Sequence, residues 1–180
     1  MIIILGTPGA GKTTQSRLLA EHLNCRCFSM GELIRNEVTG QERKDMLAGK
    51  IISDRATIGI IDKTLAGFDT SKEECVFEGN PRSISQAQWW LEQVREGRFK
   101  ILGVIHLTAQ LSIAKKRMLK RGRLDDHDDN VIETRFEEYQ RSITPTLDFL
   151  KQNGVAVHEV SADGSIEEIA GSIREALGIA

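Results

Sequence analysis

Apolar positions along the chain follow two rhythms in alternation. Ile2, Ile3, Ile4 and Leu5 form an unbroken β-branched and aliphatic run that ends at Gly6, the signature of a short strand buried on both faces. Past Pro8 and Gly9 the rhythm changes to helical spacing, with Leu18, Leu19 and Leu23 on one side of a helix over 12–23. The same exchange repeats. Strands are predicted over 25–28, 75–77, 101–107 and 155–160. Helices are predicted over 31–38, 42–47, 54–66, 83–96, 109–120 and 130–152, the last with a bend near Pro145. Ser165 followed three residues later by Glu168 is a capping box opening a final helix that runs to Leu177.

Five strands, each separated from the next by helix, predict an α/β fold with a parallel sheet covered by helices on both faces, a three-layer sandwich. No repeat, low-complexity tract or linker interrupts the pattern, so one domain over residues 1–180 is expected. At 180 residues, 40% hydrophobic and 28% charged, the chain is long enough to bury most of its apolar surface in one core.

Charge narrows the function classes. Lys and Arg number 24 against 26 Asp and Glu, and a net charge of −2 supplies no global attraction to nucleic acid or to an anionic membrane. Any affinity for anions must be local. The three cysteines, Cys25, Cys27 and Cys75, lack the paired spacing of a zinc site or a disulfide framework and read as small buried hydrophobes. The chain opens on an apolar strand without a basic leader, and no stretch approaches the roughly 18 apolar residues of a membrane span. A cytoplasmic setting, with no membrane or nucleic-acid partner, is expected.

The local chemistry is concentrated between the first strand and the first helix. GTPGAGKTT, from Gly6 to Thr14, meets the spacing GxxxxGK[ST] at Gly6, Gly11, Lys12 and Thr13, in the strand-loop-helix context that a phosphate loop requires. The pattern alone arises by chance in roughly one chain of this length per hundred; the structural context makes accident far rarer. Backbone N–H groups of Gly9, Ala10, Gly11 and Thr14 and the helix N-terminus can cradle the phosphates of a nucleoside triphosphate. Lys12 adds a full positive charge, and the Thr13 hydroxyl can serve Mg²⁺. The fold class is thus a P-loop NTPase.

Further motifs follow in order. The loop extends to GTPGAGKTTQ; SMGELIR spans Ser29 to Arg35, AGKIISD spans Ala48 to Asp54, FEGNPRSISQA spans Phe77 to Ala87, and KKRMLKRGRLDDHDDNVIETR spans Lys115 to Arg135. On these segments nearly the whole chain resembles the adenylate kinase family of nucleoside monophosphate kinases, whose patterns read GxPGxGKGTQ, STGDxLR, AGxLVxD and LDGFPRTxxQA. The resemblance implies that Arg35 and Arg82 hold the phosphate of an acceptor monophosphate. It implies that Ser29, Met30, Ile51, Ile52, Gly79 and Gln86 shape the acceptor pocket, Gln86 favouring AMP. Arg117 and Arg121 fall four positions apart, where the family stacks on the ATP base and binds phosphate; on a helix that spacing shares one face. Arg123 and Arg135 fall where the family meets the transferring phosphoryl, and Asp125 and Asp126 resemble its lid aspartates.

The implied catalytic set is therefore Lys12, Arg82, Arg121, Arg123 and Arg135. The metal set is Thr13 and Glu78, the latter acting through water. Residues about 30–57 become an acceptor-binding flap, and residues about 121–130 a lid too short for structural zinc. The chain departs from the family at Thr13, where Gly is usual, at Glu78, where Asp is usual, and at Asn80, where an apolar residue is usual. Without the resemblance, the basic run from Lys115 to Arg123 reads as a solvated helix face. The resemblance implies a monomeric, Mg²⁺- and ATP-dependent phosphotransferase acting on AMP. A kinase for another monophosphate such as CMP or UMP, and a nucleotide-binding regulatory module without turnover, stay open at this point. Trp89, Trp90 and Tyr139 read as packing residues, and His22, His106, His127 and His158 lack metal-ligand spacing.

Overall fold

A computed structural model describes residues 1–48, 52–68, 73–122 and 129–179. Its strands are β1 (Ile2–Gly6), β2 (Arg26–Ser29), β3 (Cys75–Glu78), β4 (Gly103–Thr108) and β5 (Val157–Ser161). Its helices are α1 (Lys12–His22), α2 (Met30–Glu37), α3 (Gly40–Leu47), α4 (Asp54–Leu65), α5 (Ile84–Arg95), α6 (Leu111–Arg121), α7 (Asp129–Gln152) and α8 (Ile166–Leu177). The strands form one parallel sheet in the order β2-β3-β1-β4-β5.

The period-two rule of a strand explains the two cores. Ile3 and Leu5 face one side with Phe77 and Val104, beneath Ile61 and Leu65 of α4, Trp90 of α5, and Ile143, Leu147 and Leu150 of α7. Ile2 and Ile4 face the other with Val76, Ile105 and Leu107, beneath Leu19 of α1 and Ile169 and Ile173 of α8. All five residues of β1 are buried, so each of its aliphatic side chains contributes roughly 1.5–3 kcal/mol. That is why β1 reads as an unbroken apolar run, as predicted.

The fold is the expected α/β three-layer sandwich. Trp90 is fully buried with its ring 5.3 Å from Phe77, and Trp89 stacks edge-on against it at 5.1 Å. Helix α7 passes through Pro145 without interruption. Nearby hydroxyls bond the helix backbone, Thr146 Oγ1 donating to the Ser142 carbonyl at 2.7 Å and Ser142 Oγ to the Tyr139 carbonyl at 3.2 Å.

The capping box forms as its sequence requires. Glu168 N–H donates to Ser165 Oγ at 3.2 Å, and Ser165 N–H to Glu168 Oε2 at 2.8 Å. Ser165→Ala is expected to lower stability by about 1 kcal/mol, read as a lower urea midpoint at unchanged slope. An unchanged midpoint would mean that α8 is held by packing alone.

The fold leaves the carboxyl ends of β1, β2 and β3 along one edge of the sheet, at Gly6, Ser29 and Glu78. In open parallel sheets that edge is where ligands bind.

Candidate active site

The loop after β1 is tied down at its first residue, through both the backbone and the side chain of Thr7. Thr7 N–H donates to the Leu107 carbonyl at 3.0 Å, and Thr7 Oγ1 accepts from Ala109 N–H at 3.1 Å. Glycine is required at two places for different reasons. A Cβ on Gly6 would lie 2.4 Å from the Leu107 carbonyl oxygen. Gly9 has φ 79°, and a Cβ there would lie 2.5 Å from the Ala114 carbonyl oxygen. The chain then enters α1, whose first turn directs N–H groups into the loop.

Lys12 folds back over this loop. Its Nζ donates to the carbonyls of Gly6 at 2.8 Å and Thr7 at 3.0 Å. Burial of the ammonium drops its pKa to about 7; Glu78 opposes that shift, whereas Arg82, Arg135 and Arg121 add to it. Arg82 is also pushed down, first by burial and then by Arg135. Several cations thus crowd one volume, and among the described residues one carboxylate bears on both Lys12 and Arg82. Such a site suits a multivalent anion.

That carboxylate is Glu78, 5% exposed at the end of β3. Its Oε2 accepts from Thr13 Oγ1 at 3.2 Å and, through a short hydrogen bond, from Ser29 Oγ. Thr13 and Glu78 together present hard oxygen donors beside the loop, which fits a small divalent cation that keeps part of its water shell. Among the described residues no group of three or more His, Cys, Asp or Glu side chains is arranged to hold a metal.

Two cavities open on this edge. One runs along the loop from Pro8 to Gln15 and is closed by Glu78, Arg117, Met118, Arg121, Ile166 and Ile169. Arg117 crosses this cavity to the turn after β5, where its guanidinium donates to the Ala162 carbonyl at 2.8 Å. The other has an apolar wall of Met30, Ile34, Met46 and Ile52 and a polar floor of Thr57, Gly79, Asn80 and Gln86. Pro8, Lys12, Gly31, Arg35, Arg82 and Arg135 line both. The cavities therefore meet at four cationic side chains. Arg82 is braced there by its own turn, Nε donating to the Gly79 carbonyl at 2.9 Å.

Most of the residues singled out in the sequence fall in these two cavities. Gly9, Ala10, Gly11, Lys12, Thr13, Thr14, Arg117 and Arg121 line the loop cavity. Met30, Arg35, Ile52, Gly79, Arg82 and Gln86 line the second. Ser29 faces the loop cavity, because its hydroxyl is drawn to Glu78. Ile51, Arg123, Asp125 and Asp126 lie outside the described residues.

Sequence reasoning missed Met46, Thr57, Glu138 and Tyr139, which also line the second cavity. Thr57 did leave a signal, since it is the polar member of the buried stripe Thr57, Ile61, Leu65 on α4. Tyr139, expected to pack, does so and also bonds through its hydroxyl to Nε2 of the buried His106 at 2.7 Å.

The sequence matches the family model described as adenylate kinase over residues 4–155. It is 33% identical to an adenylate kinase of Prochlorococcus marinus strain MIT 9211, covering 99% of this chain and 97% of that protein. An adenylate kinase of Corynebacterium urealyticum is 32% identical over 93% of both chains. One from Corynebacterium glutamicum strain R is 32% identical over 98% of both. Fold, phosphate loop and near-complete coverage agree, and the chain belongs to the adenylate kinase family.

Proposed function

We propose that this nucleoside monophosphate kinase moves the γ-phosphoryl group of ATP to AMP, giving two ADP. The observation that carries this reading is the junction of two cavities on Lys12, Arg35, Arg82 and Arg135. A triphosphate grip alone has no use for a second chamber that shares its cations.

In this reading the loop N–H groups from Gly9 to Thr14 and the Lys12 ammonium hold the β- and γ-phosphates. Arg117 and Arg121 line the same chamber farther along, suited to the rest of ATP. Arg35 and Arg82 anchor the phosphate of AMP, with its base against Met30, Ile52 and Gln86 in the segment-30–57 pocket. An oxygen of that phosphate forms a bond to the γ-phosphorus, and the bond to the β–γ bridging oxygen breaks. The electron pair leaves on ADP. The attacking oxygen is already anionic, so no general base is needed.

Charge in such a transition state spreads over the equatorial oxygens, and catalysis is positioning plus electrostatic stabilisation. Arg135, on the wall between the chambers, meets the group in flight, and we assign Arg121 and Arg123 to the same task. Thr13 and Glu78 would hold Mg²⁺, Glu78 through water. When bound, that ion would supply positive charge to offset the charge of the phosphates.

In this reading the working unit is a monomer. Burial pushes the Cys75 thiol up to about 12 and Cys27 to about 11, which keeps both as the less reactive thiol at neutral pH; the proposed setting is the cytoplasm. No described helix is long and apolar enough to cross a membrane.

The test is a coupled assay of diphosphate formation from ATP and Mg²⁺ over AMP, CMP, UMP and GMP. AMP is expected to lead in kcat/KM by about 100-fold or more. ATP binding with no turnover of AMP, or a faster reaction with a pyrimidine, would overturn the assignment.

A further inference from the structure

The floor of the acceptor cavity is a chain of hydrogen bonds in which every donor and acceptor is forced. It begins at Trp90, whose indole N–H can only donate, and which donates to Asn80 Oδ1 at 2.7 Å. That fixes the Asn80 amide, leaving Nδ2 to donate to Gln86 Oε1. A second donor, the Arg82 backbone N–H, reaches the same oxygen at 2.8 Å. The other end of the Gln86 amide is fixed as well, with Nε2 donating to Asp54 Oδ1 at 2.7 Å. Asp54 Oδ1 also accepts from Ser83 Oγ at 2.9 Å.

The consequence is a count. A carbonyl oxygen has two lone pairs, and both on Gln86 Oε1 are occupied. Of the two hydrogens on Nε2, one is held by Asp54. Gln86 is 1% exposed yet lines the cavity, so its remaining capacity toward a ligand is a single N–H. It has no acceptor left to offer, and it cannot flip without breaking contacts at both ends.

We propose that Asn80 is a specificity-determining residue that fixes Gln86 as a donor-only reader of the acceptor base. The inference rests on the reading of this cavity as the AMP site. A donor-only Gln86 senses the unprotonated N1 of adenine and ignores the 6-amino group. It rejects hypoxanthine, whose N1 carries hydrogen, because two donors then face each other in a buried site.

Three substrates and one variant test this. Purine riboside 5′-monophosphate keeps N1 and lacks the amino group, and its kcat/KM is expected within about threefold of that for AMP. Inosine 5′-monophosphate is expected at least about 100-fold lower. In the double variant Asn80→Leu, Trp90→Phe, the indole donor and the amide are removed together, so neither is left unpartnered. One lone pair of Gln86 Oε1 is then free to accept from the amino group. The preference for AMP over purine riboside monophosphate is expected to rise to about tenfold or more.

A wild-type preference for AMP over purine riboside monophosphate above tenfold would overturn the inference, whether or not the variant folds. An unchanged ratio in a folded variant would do the same. Failure to turn over AMP at all would instead remove the acceptor assignment on which the inference stands.

Discussion

Arg135→Ala is expected to lower kcat by about 10³–10⁵, or roughly 4–7 kcal/mol of transition-state stabilisation. Arg135 leaves the second turn of α7 and lines both cavities, which in the proposed reading sets its charge where the phosphoryl group crosses. The loss belongs to kcat, since an interaction made mainly in flight leaves ground-state binding nearly untouched. KM for ATP and AMP should each move by less than about fivefold. Arg135→Lys keeps the charge and loses the planar fork, and should recover only part of the rate. A loss below tenfold in Arg135→Ala would remove Arg135 from the transfer step.

Lys12→Met is expected to reduce kcat by about 10²–10³, through loss of the cation at the β- and γ-phosphates. The same change should not lower the stability of the nucleotide-free protein at pH 7, and that separates it from a folding defect. The sign follows from the buried ammonium. Its pKa is about 7 in the folded chain against 10.5 in the free side chain, so the unfolded state binds more protons between those values. The charged lysine therefore opposes folding most at and below pH 7, and the opposition fades toward pH 10.5. Any gain in melting temperature for Lys12→Met should be largest near pH 7 and shrink as pH rises. A variant that loses both activity and stability at pH 7 would contradict this account.

The fold was legible because its sheet is buried on both faces. Ile2 to Leu5 has no polar position to confuse the period, and the other strands are bounded by clear breaks. Boundaries moved where hydrogen bonding outranks composition. Ile101 and Leu102 look like strand, yet β4 begins at Gly103, where pairing with Ile2 starts. The phosphate loop was legible because its chemistry is local: a few consecutive residues make the whole cradle.

The acceptor chamber was legible only in part, for the opposite reason. Its walls come from α2, α3, α4, α5 and α7, and no spacing in one segment announces that Met46, Thr57 and Tyr139 will face each other. Asn80 had no rationale in the sequence, because its partner Trp90 lies ten residues away on the next helix and reads as a core aromatic. Only the placed donors and acceptors show that Asn80 joins Trp90 to Gln86 beneath the cavity.

The γ-phosphoryl group of the nucleotide in one chamber is expected to pass directly to the phosphate held in the other. ATP carrying an isotopic label in its γ-phosphoryl group, mixed with AMP, Mg²⁺ and the protein, tests it by phosphorus NMR at early times. Direct transfer predicts label in the β-phosphate of ADP formed from AMP, with two ADP appearing per AMP consumed and inorganic phosphate near background. Label released as inorganic phosphate at a rate independent of AMP would contradict it.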